Sequence, residues 1–267
     1  MTSTRNRPIG IFDSGIGGLT VVRSVRRYLP DEDIVYFGDT ARVPYGNKSK
    51  STVIRFSREV MDFMISKKVK MVIVACNTAS SLSLASLKRN YKIPVIGVIT
   101  PGAEEAIKFS SNRRIGVIGT NSTVASGAYQ KAINKIDRRY KVFSKSCPLF
   151  VPLVENRFFA DPITRHVARL YLNGLKKKNI SSLILGCTHY PLLKGIIGQV
   201  MGEVKLVDSS IAVAKYAKRS LKQNDLRPQR RRRKGKARFY VSDDPEGFKR
   251  SAGIFLRKSI KVSKVTI

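Results

Sequence analysis

Short apolar runs alternate with amphipathic stretches along the first 100 residues of the chain. The runs that predict buried strands are RPIGIF, DIVYFG, KMVIVA and IPVIGV. Between them, residues 49–67 carry apolar side chains at helical spacing, namely Val53, Phe56, Val60, Phe63 and Met64. Strands that alternate with helices favour a parallel sheet covered on both faces, so the pattern predicts an α/β fold.

The same pattern restarts in the second part of the chain. RRIGVIGTNSTVASGAY resembles the earlier RPIGIFDSGIGGLTVV, and SLILGCTHYPLL matches MVIVACNTASSL. VKLVDSS takes the place that PVIGVIT holds in the first part. This repetition predicts two similar three-layer α/β domains with mainly parallel sheets.

The domain boundaries follow from where the repeat begins and ends. We expect residues 1–99 and a returning tail, residues 209–267, to form the first domain, and residues 100–208 to form the second. The tail has no counterpart in the first repeat. Its composition predicts a mobile loop over residues 224–236, then a strand at ARFYVS and a helix at PEGFKRSAGIFLRK.

Two of the three cysteines occupy corresponding places in the repeat. Cys76 and Cys187 each end an apolar run, whereas Cys147 in KSCPLFVPLVE lacks this context and is expected to be structural. Ligands of parallel α/β sheets bind beyond the carboxyl ends of the strands. We therefore expect both thiols to face one interdomain cleft from opposite sides.

Two thiols on opposite sides of a site suit the inversion of a carbon centre by proton transfer. One thiolate removes a proton from one face while the other thiol donates a proton to the opposite face. Cys76 and Cys187 each precede a predicted helix, whose N-terminal N–H groups would favour the thiolate. The competing interpretation is that both are ordinary buried cysteines, which are common in protein cores.

The charge of the chain is strongly positive. The 267 residues include 51 Lys and Arg against 18 Asp and Glu, a formal net charge of +33, with a dense run at Arg230–Lys234. Such an excess is compatible with non-specific nucleic-acid association, although no zinc-finger or RNA-binding pattern accompanies it. No apolar run approaches the length of a membrane span, and we see no signal peptide. Three cysteines also suit a reducing compartment, so we expect a cytoplasmic protein without membrane insertion.

Several motifs in order resemble the cofactor-independent aspartate/glutamate racemase family. They are GIFDSGIGGLTV, YFGDTARVPYGNKS, VIVACNTAS, GVIGTNSTV, CPLFVPLVE, LILGCTHYPLL and LVDSS, between about residue 8 and about residue 210. The resemblance implies that the chain interconverts L- and D-glutamate without a cofactor and supplies D-glutamate for bacterial peptidoglycan. It is compatible with a homodimer, whose interface the sequence does not place.

The resemblance also implies roles for individual residues. Cys76 would act on the α-proton of D-glutamate and Cys187 on that of L-glutamate, with Asp13 near Cys76 and His189 assisting Cys187. Asp39 and Glu155 would support the two sides of the site. The residues implied to contact the substrate are Asp13, Ser14, Pro44, Tyr45, Gly46, Asn77, Thr78, Thr120, Thr123, Thr188 and His189.

Other functions are weighed against this one. Aspartate racemase is a neighbouring alternative, and a Cys–His hydrolase with Cys187 as nucleophile would leave Cys76 unexplained. A basic nucleic-acid-associated protein would leave both cysteine motifs unexplained. We find no metal-ligand spacing and no convincing lysine site for pyridoxal phosphate. GIGG lacks the full GxGxxG spacing, so Gly15, Gly17 and Gly18 are expected to permit a tight turn.

Overall fold

Parallel strands form two sheets in the computed structural model, which describes residues 4–228 and 234–267. The strands are β1 (Ile9–Asp13), β2 (Ile34–Gly38), β3 (Met71–Val74), β4 (Val95–Gly97), β5 (Arg114–Gly119), β6 (Lys141–Ser146), β7 (Ser182–Gly186), β8 (Lys205–Asp208), β9 (Ala237–Val241) and β10 (Val262–Lys264). Every pairing between them is parallel. The predicted fold class is confirmed.

Helices connect the strands. They are α1 (Leu19–Tyr28), α2 (Lys50–Ser66), α3 (Asn77–Leu82), α4 (Leu84–Asn90), α5 (Ile99–Phe109), α6 (Asn121–Ala125), α7 (Ala128–Ile136), α8 (Phe150–Glu155), α9 (Pro162–Lys176), α10 (Lys194–Met201), α11 (Ser209–Gln223) and α12 (Pro245–Leu256). Short 3₁₀ turns occur at Thr4–Asn6, Thr40–Arg42, Tyr45–Asn47 and Tyr190–Leu193. Within the two described ranges, no helix is long and apolar enough to cross a membrane.

The strand order shows the repeat directly. The first sheet has the order β10-β9-β2-β1-β3-β4, and the second has the order β6-β5-β7-β8. The segment β2-β1-β3-β4 of the first sheet therefore has the same plan as the whole second sheet. In register, Phe12 of β1 lies beside Val74 of β3, and Gly119 of β5 lies beside Gly186 of β7. The carboxyl ends of these central strands consequently lie side by side in each sheet.

Two strands were not predicted from the sequence. β6 is the counterpart of β2, but it lies at the edge of its sheet and its residues are half-buried or exposed. β10 is a three-residue edge strand, also without a fully buried residue. Edge strands need fewer apolar side chains, because one side of the strand and often one face remain in water. Apolar runs in the sequence therefore do not predict β6 and β10.

The tail returns to the first sheet, where it adds two strands. β9 pairs with β2, and β10 pairs with β9 on the outer side. Helix α12 follows β9, with Asp244 as N-cap accepting a hydrogen bond from Gly247 N and with Pro245 in the first turn. Most of the Arg230–Lys234 run, and the centre of the predicted mobile loop, lie outside the described residues.

Helix α11 joins the two sheets. It packs against α1 of the first sheet and against α5, which leads into the second. Thr20 Oγ1 donates to the carbonyl of Thr188 at 3.1 Å, and the hydroxyl oxygens of Ser24 and Ser210 lie 2.9 Å apart. One buried apolar cluster continues through residues of both sheets. The two repeats thus share a packed interface, and the predicted boundaries between domains stay a prediction.

Candidate active site

A cavity of about 380 Å³ lies between the carboxyl ends of the two sheets, within the usual size range of small-molecule sites. The predicted site residues that line it are Ser14, Pro44, Tyr45, Gly46, Cys76, Asn77, Thr78, Thr120, Glu155, Cys187, Thr188 and His189. Asp13, Asp39 and Thr123 are buried but do not line it. The remaining lining residues, which the sequence analysis did not single out as site residues, are Gly15, Val43, Asn47, Asn121, Pro148, Val151 and Pro152.

The two thiols enter this cavity from different sheets. Cys76 lies two residues after β3 and is the N-cap of α3, whereas Cys187 directly follows β7. Each is a free cysteine with 6% of its surface exposed. Cys147 is also free and buried but does not line the cavity. Cys76 and Cys187 therefore line the cavity, whereas Cys147 does not.

The surroundings of Cys76 keep its thiol protonated. Burial and the neighbouring Asp13 carboxylate raise the pKa of Cys76 to about 12, although hydrogen bonds from Ala79 N and with Ser14 oppose this shift. Ala79 N donates to Cys76 Sγ at 3.4 Å, and Cys76 Sγ donates to Ser14 Oγ at 3.7 Å. The expected contact with a helix N-terminus is present. The N–H group of Ala79 favours the thiolate as expected, but burial and Asp13 outweigh it, so the pKa of Cys76 is raised.

Asp13, the last residue of β1, is held by the backbone of the following loop. Its Oδ2 accepts hydrogen bonds from Gly18 N at 2.9 Å and from Gly15 N at 3.2 Å. Burial raises the pKa of Asp13, while the positive charge of His189 and these N–H groups oppose the rise. Its Oδ1 is buried and has no hydrogen-bond partner among the described residues. Asp13 is therefore placed to influence Cys76 electrostatically.

Cys187 has a basic neighbour instead of an acidic one. Cys187 Sγ lies 3.8 Å from His189 Nδ1, and His189 Nε2 lies 3.0 Å from Glu155 Oε1. Burial lowers the pKa of His189, but hydrogen bonds with Cys187 and Glu155 outweigh burial and raise it to about 10. Phe255 of α12 packs edge-on against the imidazole, with the ring centroids 5.9 Å apart. This arrangement favours an imidazolium beside Cys187.

Asp39 anchors the loop at Pro44–Gly46. Its buried carboxylate accepts hydrogen bonds from Tyr45 Oη at 2.5 Å and from Arg42 Nε at 2.7 and 2.9 Å. Ser242, just after β9, donates to Asp39 Oδ1 at 2.9 Å. Asp39 therefore holds Tyr45 in the cavity wall and connects this wall to the tail. Sequence reasoning missed Arg42 and Ser242, because nothing local marks them as partners of a distant carboxylate.

Hydroxyl groups join the two repeats on the Cys76 side of the cavity. Thr78 Oγ1 lies 2.9 Å from Thr120 Oγ1 and 3.3 Å from Thr123 Oγ1. Thr120 also accepts a hydrogen bond from Thr123 N at 3.3 Å and so caps α6. Ser122 Oγ donates to the carbonyl of Gly46 at 2.6 Å. Thr120 therefore caps α6 and lines the cavity at the same time.

Gly17 allows the loop after β1 to touch the second repeat. A Cβ at Gly17 would lie 2.3 Å from Thr188 Oγ1 and 2.6 Å from the ring of His189. The described glycines with positive φ are Gly127 and Gly202, so Gly17 is not required by an unusual backbone angle. The predicted turn is present. Its glycine serves close packing and not the conformational freedom of a tight turn.

The cavity wall is mainly apolar, and its polar side chains are mostly neutral. The lining residues, all within the described part of the chain, include no lysine or arginine, and His189 is the basic side chain among them. Over residues 4–228 and 234–267, no group of three or more His, Cys, Asp and Glu is arranged to hold a metal ion. The donors offered to a ligand are therefore hydroxyls, amides and thiols.

The fold and the site define a parallel α/β protein with a ligand-sized cavity between two repeated sheets, and one cysteine from each sheet lines that cavity. The chain belongs to the Asp/Glu/Hydantoin racemase family, which matches residues 9–217.

Individual relatives agree with this assignment. The chain is 48% identical over 252 residues to a glutamate racemase of Geobacter metallireducens, covering 94% of this chain and 93% of the relative. It superposes with a TM-score of 0.95 on the glutamate racemase isoform RacE1 of Bacillus anthracis, at 38% identity. The TM-score is 0.91, at 40% identity, with the glutamate racemase of Francisella tularensis in complex with D-glutamate. Each of these two structures covers 98% of both chains. The resemblance drawn from the motifs is confirmed.

Proposed function

We propose that the chain is a glutamate racemase that interconverts L- and D-glutamate by proton transfer between two cysteines. The observation that carries the proposal is the position of Cys76 and Cys187, which line one cavity from the ends of corresponding strands in two repeated sheets. Family membership supports the reaction class, and the named relatives support the substrate.

The surroundings of the thiols suggest which thiol acts as base and which as acid. Cys187, whose Sγ lies 3.8 Å from His189 Nδ1, serves as the base that removes the α-proton of L-glutamate. Cys76, whose pKa burial and Asp13 raise to about 12, holds the proton that is donated to the opposite face. After turnover Cys187 is the thiol and Cys76 the thiolate, which is the state that receives D-glutamate. Asp13 and His189 thus assist opposite half-reactions.

Substrate binding in this proposal relies on oriented neutral donors. Asn77, Thr78 and Thr188 follow the cysteines in the chain, and Ser14 Oγ accepts from Cys76 Sγ at 3.7 Å. All four line the cavity and offer hydroxyl, amide and backbone N–H groups to the α-carboxylate and the ammonium. The loop at Pro44–Gly46 and Thr120 form the wall that receives the side-chain carboxylate, supported from behind by Asp39 and Thr123. Hydrogen bonds to a charged acceptor are stronger than neutral ones, so a site without lysine or arginine still binds an anion.

The proposal extends to the cellular role. Supply of D-glutamate for peptidoglycan, a cytoplasmic location and a homodimer all fit a family of glutamate racemases, and the domain division at residues 1–99 with 209–267 and 100–208 fits the two sheets. No bound cofactor is part of the proposed chemistry, because the thiols and their neighbours supply both the base and the acid.

Chiral analysis of the purified protein tests the proposal. We expect L-glutamate and D-glutamate each to proceed to the same racemic mixture without added pyridoxal phosphate or metal, and aspartate to react far more slowly. Faster racemization of aspartate would assign the chain to the neighbouring activity. Hydrolysis of ester or amide substrates without racemization would favour a Cys187–His189 nucleophilic pair instead.

A further inference from the structure

The side chain of Asn77 has one polar atom that the described part of the chain leaves without a hydrogen-bond partner. Asn77 is the first residue of α3, is 2% exposed and lines the cavity. Its Nδ2 is buried and finds no acceptor among the described residues. A buried N–H group without an acceptor is destabilising, so proteins seldom keep one without a use. The amide nitrogen of Asn77 is thus available to a ligand.

The other end of the same amide is held by the second repeat. Tyr129 of α7 donates a hydrogen bond from its hydroxyl to Asn77 Oδ1 at 2.7 Å. Burial raises the pKa of Tyr129, and so does the nearby Cys187, so the hydroxyl stays protonated and remains a donor. Because Oδ1 accepts this bond, the amide cannot rotate by 180° without placing its NH₂ group against a donor.

The ring of Tyr129 is itself fixed by two glycines. A Cβ at Gly102 would lie 3.1 Å from Tyr129 Cε1, and a Cβ at Gly186 would lie 3.1 Å from Tyr129 Cε2. The ring is 2% exposed, with one edge against α5 and the other against the end of β7. Gly186 directly precedes Cys187, so the glycine that leaves room for the ring adjoins one proposed catalytic thiol. The hydroxyl therefore has a defined direction.

We propose that Tyr129 is a positioning residue that orients the Asn77 amide so that Nδ2 donates to a carboxylate of the substrate. Tyr129 comes from the second repeat and Asn77 from the first. The Asn77 amide, beside Cys76, is therefore oriented correctly only when the two repeats are packed together. The inference rests on the proposed glutamate racemase function for its ligand, but the Tyr129–Asn77 contact itself does not depend on that function.

The conservative variant Tyr129→Phe tests the role. We expect KM for both glutamate enantiomers to rise about tenfold, since roughly 1.4 kcal/mol of binding is tenfold and a hydrogen bond to a charged group contributes about that much. We expect kcat to change less than about twofold, because a group that binds ground state and transition state equally alters KM alone. An unchanged KM would overturn the inference.

A double-mutant cycle separates positioning from general damage to the structure. In an Asn77→Ala background, Tyr129→Phe should have no further effect on KM, because the group it orients is gone. A second tenfold loss in that background would show that Tyr129 acts by another route. Asn77→Asp, which retains an acceptor for Tyr129 but presents an oxygen to the substrate carboxylate, should bind glutamate more weakly than Asn77→Ala. Tyr91→Phe is the control, because its hydroxyl bonds Asp62 and Arg58 away from the cavity.

A measurement without substrate separates this inference from the proposed function. The side-chain amide signals of Asn77 in a ¹H–¹⁵N spectrum, assigned by their absence in Asn77→Ala, should shift or broaden in Tyr129→Phe and stay in place in Tyr91→Phe. Unchanged signals in Tyr129→Phe would refute the positioning role. If the unmodified protein failed to racemize glutamate, the proposed function would fall, and this spectrum would still decide whether Tyr129 orients Asn77.

Discussion

The two cysteines of the cavity have opposite electrostatic neighbours. Cys76 lies near the Asp13 carboxylate, and Cys187 lies 3.8 Å from the His189 imidazole. A carboxylate raises the pKa of a nearby thiol, whereas an imidazolium stabilises a thiolate. The proposed mechanism assigns the role of acid to Cys76 and the role of base to Cys187 on the basis of these different neighbours.

Removing either thiol should abolish racemization. We expect Cys76→Ala and Cys187→Ala each to lower kcat/KM by about 10³-fold or more, as loss of a general acid or base does. In deuterated water, Cys76→Ala should still exchange the α-proton of L-glutamate, and Cys187→Ala that of D-glutamate, because each keeps one base.

The third cysteine provides a matched control for this pair. Cys147→Ala also removes a buried thiol, but one that does not line the cavity, and should retain kcat/KM. Full racemization by either single variant, or loss of activity in all three, would contradict the two-thiol mechanism.

The charge of His189 should make stability depend on pH. Its pKa is raised from 6.5 to about 10 in the folded protein, so the folded state binds a proton that the unfolded state releases between these values. The resulting stabilisation is fully present below pH 6.5 and is lost as the pH rises through about 10. We expect the difference in Tm between the unmodified protein and His189→Gln to shrink steadily from pH 6.5 to 10. A difference that is constant or grows over this range would show that His189 is neutral when folded.

At the scale of elements, the tail contributes to the site although it lies outside the repeat. Ser242 after β9 binds Asp39, which holds Tyr45 of the cavity wall, and Phe255 of α12 packs on His189. Both contacts follow from the pairing of β9 with β2, which places the end of the tail strand beside the loop after β2. Among the residues that the structure describes, the second sheet gains no such strands, so the two sides of the cavity are supported differently.

Replacing Asp39 should loosen this wall. Asp39→Asn removes the buried charge that pairs with Arg42, and we expect a loss of about 3 kcal/mol in the free energy of unfolding together with a higher KM for glutamate. Ser242→Ala removes one hydrogen bond to the same carboxylate and should cost about 1 kcal/mol. Denaturant unfolding and steady-state kinetics measure both effects. Equal losses from the two variants would argue against the Arg42–Asp39 pair as the main anchor.

At the scale of the whole molecule, the net charge of +33 should act separately from the cavity. Counterion release makes any nucleic-acid association fall steeply with salt, whereas hydrogen bonds inside a buried cavity are screened little. We expect retention on DNA to disappear between about 50 and 200 mM salt while kcat/KM changes only mildly.

Replacing Arg230, Arg231, Arg232 and Arg233 with Gln should reduce retention on DNA and leave racemization nearly unchanged. These residues lie outside the described part of the chain and outside all the motifs that resemble the racemase family. Loss of racemization in a folded variant would place this run in the active site.

Local pattern was enough to predict much of the molecule. Buried parallel strands are almost continuously apolar, so β1, β3, β5 and β7 are visible in the sequence, and their repetition predicts two sheets. The position of Cys76 and Cys187 after such runs predicts that both reach the carboxyl edge, because that edge is where parallel strands end together. The family motifs add the cavity-lining residues near them.

Only the tertiary structure decides the rest, because it depends on partners that are distant in the chain. The edge strands β6 and β10 bury few side chains and leave little trace in the pattern. The pKa of Cys76 is raised although the helix N-terminus favours the thiolate, because burial and Asp13, which is 63 residues away in the chain, outweigh that effect. The hydrogen bonds between Asp39 and Ser242 and between Asn77 and Tyr129 form only because the fold brings these residues together. Sequence determined which chemical groups reach the cavity, and three-dimensional packing determined how each group is oriented and charged.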